Sequence, residues 1–305
     1  SNDYSHYGGA IYISQEIDTN KFSIQNFTLR NCYFAGNSVR QYGGAIYLKF
    51  SQNDKIIHNY SMRIEDCTFV NCSSFSRGGA IGMGDYDFTQ QSIDSGDAFI
   101  TNCTFENCVA LYGGGIAILE GDELRDEELY VVNCTFDRCA AAFGGAVFSK
   151  TYKLELHQNN FVRCRAFTEE EENYYILDDV LRPDKEEDQF TKYYSFIYVC
   201  MDDLVVVHIS DCFFSENEVS IELIMDKGTA MFTDCIFQCY TNQSLLRLNL
   251  IRSKGTTNGT IYENCIFQNS TSEESAIIGG WNIYDNYHTF RNCTIQNNNA
   301  KQLGG

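Results

Sequence analysis

Fourteen cysteines carry the clearest chemistry in this chain of 305 residues. Three Cys-x4-Cys pairs could hold a metal ion, but no histidine accompanies them, so we expect disulfide bonds instead. Bridges could join neighbouring repeats or the two cysteines of one pair, and a buried column of free thiols is a third alternative. Spacing alone does not fix the connectivity. The disulfide candidates are Cys67, Cys72, Cys103, Cys108, Cys134, Cys139 and Cys164.

Asparagine side chains offer a second chemistry, because nine Asn-x-Ser/Thr sequons are acceptors for N-linked glycans. Together with the cysteine count, they predict a eukaryotic secretory pathway and an extracellular or cell-surface location. The sequons start at Asn26, Asn59, Asn71, Asn102, Asn133, Asn242, Asn258, Asn269 and Asn292.

Carboxylates are the third group, and they concentrate in a predicted acidic insertion at 166–194. Oxygen-rich loops of this kind can bind Ca²⁺. No regular calcium-loop spacing is present, so a solvated acidic loop is the alternative that we favour, and no other cofactor is predicted. The weak Ca²⁺ candidates are Glu120, Asp122, Glu123, Asp178 and Asp179.

The formal net charge of −19 argues against nucleic acid and anionic membranes as partners, because both would repel the chain. No apolar run is long enough to span a bilayer, so this segment is predicted to contain no membrane span.

The elements that position these groups follow from internal repeats. A glycine pair followed by small and β-branched residues occurs at 8–11, 43–46, 78–81, 113–116 and 144–147. A second motif, Cys-x-Phe-x-x-Cys/Asn, alternates with the first. Its copies lie at 32–37, 67–72, 103–108, 134–139, 159–164 and 212–217, with looser copies at 235–237, 265–267 and 293–295.

The spacing between copies of the second motif varies from 23 to 53 residues. Helical repeats keep a tighter period, whereas a β-solenoid needs only its short strands in register and tolerates loop insertions. The sequence therefore predicts an all-β fold, a right-handed parallel β-helix of about nine coils. Extra residues at 49–61, 83–97 and 119–129 should leave from one corner, just after the strand that follows each glycine pair.

Alternation within the second motif sets the orientation of the side chains. In a strand, Cys103 and Phe105 share one face, and Asn102 and Thr104 share the other. If Cys and Phe face inward, the sequon faces solvent, where a glycan must be. Stacked coils would then form a phenylalanine ladder, an inward cysteine column and a bend column. We favour disulfides in the bend column, at Cys72, Cys108, Cys139 and Cys164, and leave the inward column open.

These two motifs resemble the passenger repeats of the chlamydial polymorphic outer membrane proteins and, more broadly, pectate-lyase-like β-helix proteins. The resemblance covers most of residues 7–164. It implies a right-handed parallel β-helix and, because members of the first group are surface adhesins, it also implies surface display.

Enzymes that cleave polysaccharides use paired carboxylates, and many share this type of fold. The acidic residues on strand-like segments, Asp202-Asp203, Glu65-Asp66 and Asp211, sit where ordinary outward polar residues would sit. We find no mix of Asp, Arg, Lys and His on one strand face, and we predict no catalytic residue. The histidines are scattered along the chain, and we interpret them as isolated polar or half-buried residues rather than catalytic bases: His6, His58, His157, His208 and His288.

We expect one β-helix domain over 1–305, cut from a longer solenoid or forming one unit of a head-to-tail assembly, since its first and last residues share one phase of the repeat. The predicted function is that of a non-catalytic extracellular structural glycoprotein in a coat, appendage or filament. The alternatives are a carbohydrate-active β-helix enzyme and a surface adhesin whose specificity lies in 166–194.

Overall fold

A computed structural model of the chain describes residues 7–15, 25–50, 58–84, 94–118, 128–167, 195–217, 220–239, 251–254, 259–272 and 288–300. Throughout these residues the regular elements are β-strands, numbered β1 to β31, with parallel pairing between neighbours. None of the described residues belongs to a helix that could cross a membrane. The predicted all-β parallel β-helix is confirmed.

The coils up to residue 166 contribute to three sheets, named here the wide sheet, the phenylalanine sheet and the short sheet, and the later coils continue the first two. The wide sheet consists of β1 (Ile11–Gln15), β2 (Gln25–Arg30), β5 (Ile46–Phe50), β6 (His58–Glu65), β9 (Ile81–Met83), β10 (Asp94–Thr101), β13 (Ile116–Ile118), β14 (Glu128–Val132), β17 (Val147–Ser149), β18 (Lys153–His157), β21 (Ser195–Ser210), β23 (Ser220–Thr233), β25 (Ile251–Lys254), β26 (Thr260–Glu263) and β29 (His288–Arg291).

The phenylalanine sheet holds one strand for each copy of the cysteine motif. It consists of β3 (Tyr33–Ala35), β7 (Thr68–Val70), β11 (Thr104–Glu106), β15 (Thr135–Asp137), β19 (Asn160–Val162), β22 (Phe213–Ser215), β24 (Ile236–Gln238), β27 (Ile266–Gln268) and β30 (Thr294–Gln296). The short sheet consists of β4 (Ser38–Val39), β8 (Ser73–Ser74), β12 (Val109–Tyr112), β16 (Ala140–Phe143) and β20 (Arg165–Ala166), and β28 (Thr271–Ser272) pairs separately with β31 (Asn299–Ala300).

The insertions leave from within the wide sheet, so their predicted position at a corner is wrong. β21 runs unbroken along the sheet, pairing with β17 through its first half and with β18 through its second half. In earlier coils the equivalent segment of the wide sheet is divided into two strands, such as β5 and β6. Both halves are held by neighbouring coils, so the chain can leave between them without breaking the ladders. Parts of the predicted insertions 49–61 and 83–97 therefore belong to strands.

Single residues in the left-handed conformation turn the chain into and out of the phenylalanine sheet. Asn102 has a φ of 54° before β11, and Asn107 has a φ of 52° after it. Asparagine adopts this conformation more readily than most residues. The alternation of side chains predicts Asn102 on the outer face of a strand. It is exposed, as predicted, but it is a turn residue rather than a strand residue.

Each glycine pair forms a third turn of the coil, and its two glycines are needed for different reasons. Gly78 has a φ of 66°, which a side chain would strain. A Cβ atom built on Gly79 would lie only 2.1 Å from the carbonyl oxygen of Gly114 in the next coil. The first glycine thus supplies a positive φ, and the second allows the close approach of neighbouring backbones.

The core is a stack of identical side chains beneath the phenylalanine sheet. Register pairs phenylalanine with phenylalanine from β3 to β27, and β30 continues the column with Ile295. The rings of Phe69 and Phe105 stack at 5.0 Å between centroids, and Phe105 and Phe136 stack at 4.7 Å. The predicted ladder and the inward orientation of Cys103 are confirmed.

Candidate functional site

The outer face of the wide sheet presents a polar patch at β18. Alternation along this strand buries Leu154 and Leu156 in the core and turns Lys153, Glu155 and His157 outward. In the next coil, β21 places His208 in register with Glu155. Parallel pairing thus brings together side chains that are 53 residues apart in sequence.

The Glu155 carboxylate lies between two imidazole rings. Its Oε2 atom is 2.7 Å from Nε2 of His157 and 3.1 Å from Nδ1 of His208. On its far side, Nδ1 of His157 lies 2.6 Å from the hydroxyl of Ser210. One ligand atom from each of Glu155, His157 and His208 can be chosen so that all three lie within 4.8 Å of one another. We call these three residues the Glu–His cluster.

A charged and aromatic row continues from the cluster towards earlier coils. The ammonium group of Lys153 lies 3.4 Å from Glu155, 3.2 Å from Glu128 and 3.1 Å from the hydroxyl of Tyr130, which donates to Glu128. The Tyr130 ring stacks on Phe99 at 4.8 Å. Flat rings in successive coils stack because the strands lie parallel and in register.

Neighbouring charges perturb the ionisation of this row. Burial alone would lower the pKa of Lys153, but the carboxylates of Glu128 and Glu155 raise it above its ordinary value. Burial raises the pKa of Asp97, and the negative charge of Glu128 adds to the effect. The row therefore keeps a stable ammonium group among several carboxylates.

The interpretation of the histidines as isolated residues is wrong for His157 and His208, whose rings lie 5.2 Å apart. One face of the wide sheet combines histidines with charged residues, a combination that was not predicted: Lys153, Glu155, His157 and His208. Its only signal in the sequence is the alternation Lys-x-Glu-x-His in β18. The position of His208 depends on the register between coils, which spacing alone does not give.

The other candidate acids do not join the cluster. Glu65 pairs with Arg30 at 2.7 Å, and Asp66 accepts a hydrogen bond from Asn102 at 3.1 Å. Asp211 is an exposed turn residue with a φ of 53°. His288 lies in β29. The side chains of His58 and Asp202-Asp203, and all of His6, lie outside the described residues.

The cysteine columns are hydrogen-bonding positions. Cys134 donates through Sγ to the carbonyl of Ile100 in the preceding coil at 3.6 Å. The next member of the column is Asn159, which donates to the equivalent carbonyl of Val131 at 2.8 Å and accepts from the backbone N–H of Cys134 at 2.8 Å. Asparagine can replace cysteine in this column because each side chain carries a donor that reaches the equivalent backbone carbonyl.

The bend column follows the same rule. Cys139 donates to Phe105 at 3.5 Å, Cys164 donates to Phe136 at 3.4 Å, and Asn217 donates to Phe161 at 2.9 Å. A buried carbonyl without a partner would be costly, so these side chains secure the bends.

The structure shows free thiols where disulfides were predicted. All the cysteines whose side chains are described are unpaired, including the candidates Cys67, Cys72, Cys103, Cys108, Cys134, Cys139 and Cys164. Cα spacing alone allowed bridges between coils. In parallel strands, however, stacked Cβ atoms stay about 4.8 Å apart, beyond the usual range of about 3.5–4.5 Å for a disulfide. The third alternative, a buried column of free thiols, describes the structure.

Burial makes these thiols weak nucleophiles, because the thiolate is the reactive form. It raises the pKa of Cys67 to about 11, despite a compensating hydrogen bond from the backbone of Cys32. Burial also raises the pKa of Cys108 well above its ordinary value.

Alkylation should therefore separate two classes of cysteine. With iodoacetamide at neutral pH, we expect the half-exposed Cys32, Cys239 and Cys293 to react in the folded protein and the buried cysteines to react only after unfolding. Peptide mass spectrometry checks both sets. Buried cysteines that stay unlabelled in denaturant, and react only after a reductant is added, would establish disulfides instead.

The described sequons divide into two structural groups. Asn71, Asn102, Asn133, Asn269 and Asn292 are exposed turn residues with positive φ. Asn26 instead lies exposed in β2. Asn59 lies in β6, with its side chain outside the described residues, as are Asn242 and Asn258 entirely.

The turn asparagines also form a ladder. Asn102 donates to Asp66 at 3.1 Å, and Asn133 donates to Asn102 at 2.9 Å. A glycan on Asn133 would be attached to the nitrogen that makes this contact. The fold itself thus accounts for asparagine at these turns. Sequons elsewhere in the chain are the ones that support glycosylation independently of the fold.

The acidic candidates for Ca²⁺ lie outside the described residues. These are Glu120, Asp122, Glu123, Asp178 and Asp179, and most of the insertion 166–194 falls there too. Ala166 belongs to β20 and Phe167 is buried, so the first two residues of the predicted insertion belong to the coil. The Ca²⁺ site stays a prediction.

Three parallel sheets with glycine corners and a ladder of stacked side chains define a parallel β-helix protein with a Glu–His cluster on its outer face. The family model described as "right handed beta helix region" matches residues 1–166, more than half of the chain, and the protein belongs to that family. No curated protein and no solved structure matches the chain.

Proposed function

We propose that this protein is a non-catalytic structural glycoprotein, a stiff β-helix scaffold in an extracellular coat, appendage or filament. The observation that carries the proposal is the stacked phenylalanine column. It runs from Phe34 to Phe267 through eight coils, and successive rings lie 4.7–5.1 Å apart.

The stiffness follows from where the hydrogen bonds point. Backbone bonds run along the solenoid axis, so each coil is bonded to both neighbours. Bending the solenoid would lengthen bonds in both the wide sheet and the phenylalanine sheet and would separate stacked rings. Side-chain ladders add to this, since Gln296 donates to Gln268 at 2.8 Å and Gln268 donates to Gln238 at 2.9 Å.

The support for an extracellular location is the sequons and the net charge of −19, which would keep neighbouring rods soluble and apart. Asn26 is the strongest described glycosylation site, because it is exposed in β2 and is not a turn residue that the fold requires to be asparagine. Glycans at Asn26 would place the protein in the secretory pathway.

Head-to-tail self-association, or continuation within a longer solenoid, is part of the proposal, because stacked coils pair through the backbone edges of their strands.

Electron microscopy of the native, purified protein tests the proposal. We expect rods or filaments whose units join end to end, with the strand ladders continuing across the junction. Glycopeptide mass spectrometry of the same material should find a glycan at Asn26. Dispersed single particles with bare sequons would contradict the structural and extracellular parts of the proposal.

A carbohydrate-active enzyme is the second candidate, favoured by the Glu–His cluster and Lys153 on the outer sheet face. A carboxylate and an imidazole in contact can transfer protons to and from a sugar hydroxyl. A screen against acidic polysaccharides decides between the candidates. Release of unsaturated or reducing ends that is abolished by Glu155→Gln would favour the enzyme.

A further inference from the structure

We propose that Glu155, His157 and His208 bind a divalent transition-metal ion, with zinc as the expected occupant. Two imidazoles and one carboxylate form one of the common donor sets for zinc in proteins that leave a fourth position open. The three ligand atoms already lie within 4.8 Å of one another without a metal ion present.

The backbone holds the ligands in place. Glu155 and His157 are two residues apart on β18, so they project from the same face, and His208 faces them from β21. Bonds of about 2.0–2.2 Å to zinc place tetrahedral ligands about 3.4 Å apart. The distances from Glu155 Oε2 to the two nitrogens, 2.7 and 3.1 Å, need to widen by less than 1 Å.

Ser210 supplies the outer contact that metal-bound histidines usually make. Without metal, its hydroxyl can donate to Nδ1 of His157 while Nε2–H donates to Glu155. With metal, the proton moves to Nδ1 and is donated to Ser210, which leaves the Nε2 lone pair free for the ion. Both states satisfy every hydrogen-bonding group of this ring.

Charge and access also fit a cation. The side chain of Glu155 is 12% exposed, and those of His157 and His208 are 30% and 33% exposed, so an ion can enter from solvent. Lys153 is the competing cation at 3.4 Å, but it contacts Oε1 of Glu155, whereas the histidines contact Oε2. Lys153 also pairs with Glu128, which offsets part of its charge.

The consequence is a metal clip between two coils. Glu155 and His208 are 53 residues apart, and the chain between them includes the predicted insertion 166–194. A metal ion bound only by the folded protein stabilises it, and here it would fix β18 against β21 across the longest interval between repeats.

The test uses the full chain after dialysis against a chelator. Zinc titrated into it in a calorimeter should bind at one site per chain and raise the melting temperature. Cobalt(II) should give visible d–d absorption without a thiolate charge-transfer band, because the buried thiols are not ligands. Zinc should displace the cobalt.

Variants locate the site. Glu155→Gln and His208→Ala should abolish binding, and Ser210→Ala should weaken it by about 10–100-fold. His288→Ala, a histidine outside the cluster, is the matched control and should bind as the unaltered chain does. Circular dichroism of each variant confirms the fold. Absence of zinc binding to the unaltered chain, a cobalt–thiolate band, or unchanged binding by a folded His208→Ala would each overturn the proposal.

Discussion

Gly79→Ala is expected to destabilise the protein by about 3 kcal/mol or more, although it adds a single methyl group. The new Cβ would lie 2.1 Å from the carbonyl oxygen of Gly114, 2.5 Å from the nitrogen of Val109 and 2.8 Å from its oxygen. All three atoms are backbone atoms, held in place by ladders to the neighbouring coils. The coils would have to move apart, which would stretch hydrogen bonds at the corner. Urea unfolding followed by circular dichroism measures the loss.

Gly36→Asn is the matched control for this substitution. Gly36 has a φ of 63° and nothing within 4 Å of a Cβ built on it. Equivalent turns in the next two coils carry Asn71 and Asn107 with the same conformation. We expect a change of less than about 1 kcal/mol. Equal effects of the two substitutions would mean that close packing between coils does not explain the glycine pairs.

Phe105→Ala is expected to cost about 3–5 kcal/mol, because it removes a fully buried ring from the centre of the stack. The ring lies between Phe69 at 5.0 Å and Phe136 at 4.7 Å, so the cavity would remove contacts from both neighbours. In-register strands keep those rings apart and limit collapse. The midpoint of urea unfolding again reports the change.

Two controls separate the position in the stack from the residue type. Phe34→Ala should cost less, because within the described residues this ring stacks only on Phe69. Tyr33→Ala, on the same strand but 70% exposed, should change stability by less than about 0.5 kcal/mol. Similar losses for Phe34→Ala and Phe105→Ala would contradict a core that strengthens through stacking on both sides.

The cysteines show where prediction from composition succeeded and failed. The sequence placed Cys103 and Cys134 in one inward column, and the structure confirms it. The disulfides that we favoured in the bend column are the part that failed, because counting cysteines ignores which carbonyls need a donor. Asn217 in that column was the available signal: a residue that cannot form a disulfide but can donate a hydrogen bond.

The sequons also coincide with positions that the fold requires. Asparagine recurs at Asn102, Asn133 and Asn292 because those turns require a positive φ, and threonine follows in each strand. A glycosylation motif and a structural motif therefore coincide, and the count of sequons overstates the independent evidence for secretion.

The coil could be predicted from the sequence, because its short strands, its glycine corners and its inward Cys and Phe depend on residues a few positions apart. The contacts on the outer face could not be predicted in this way. Glu155 and His208 come together because β18 and β21 pair in one register. That register depends on how coils align whose strands are far apart in sequence, and the spacing of motifs along the chain does not specify it.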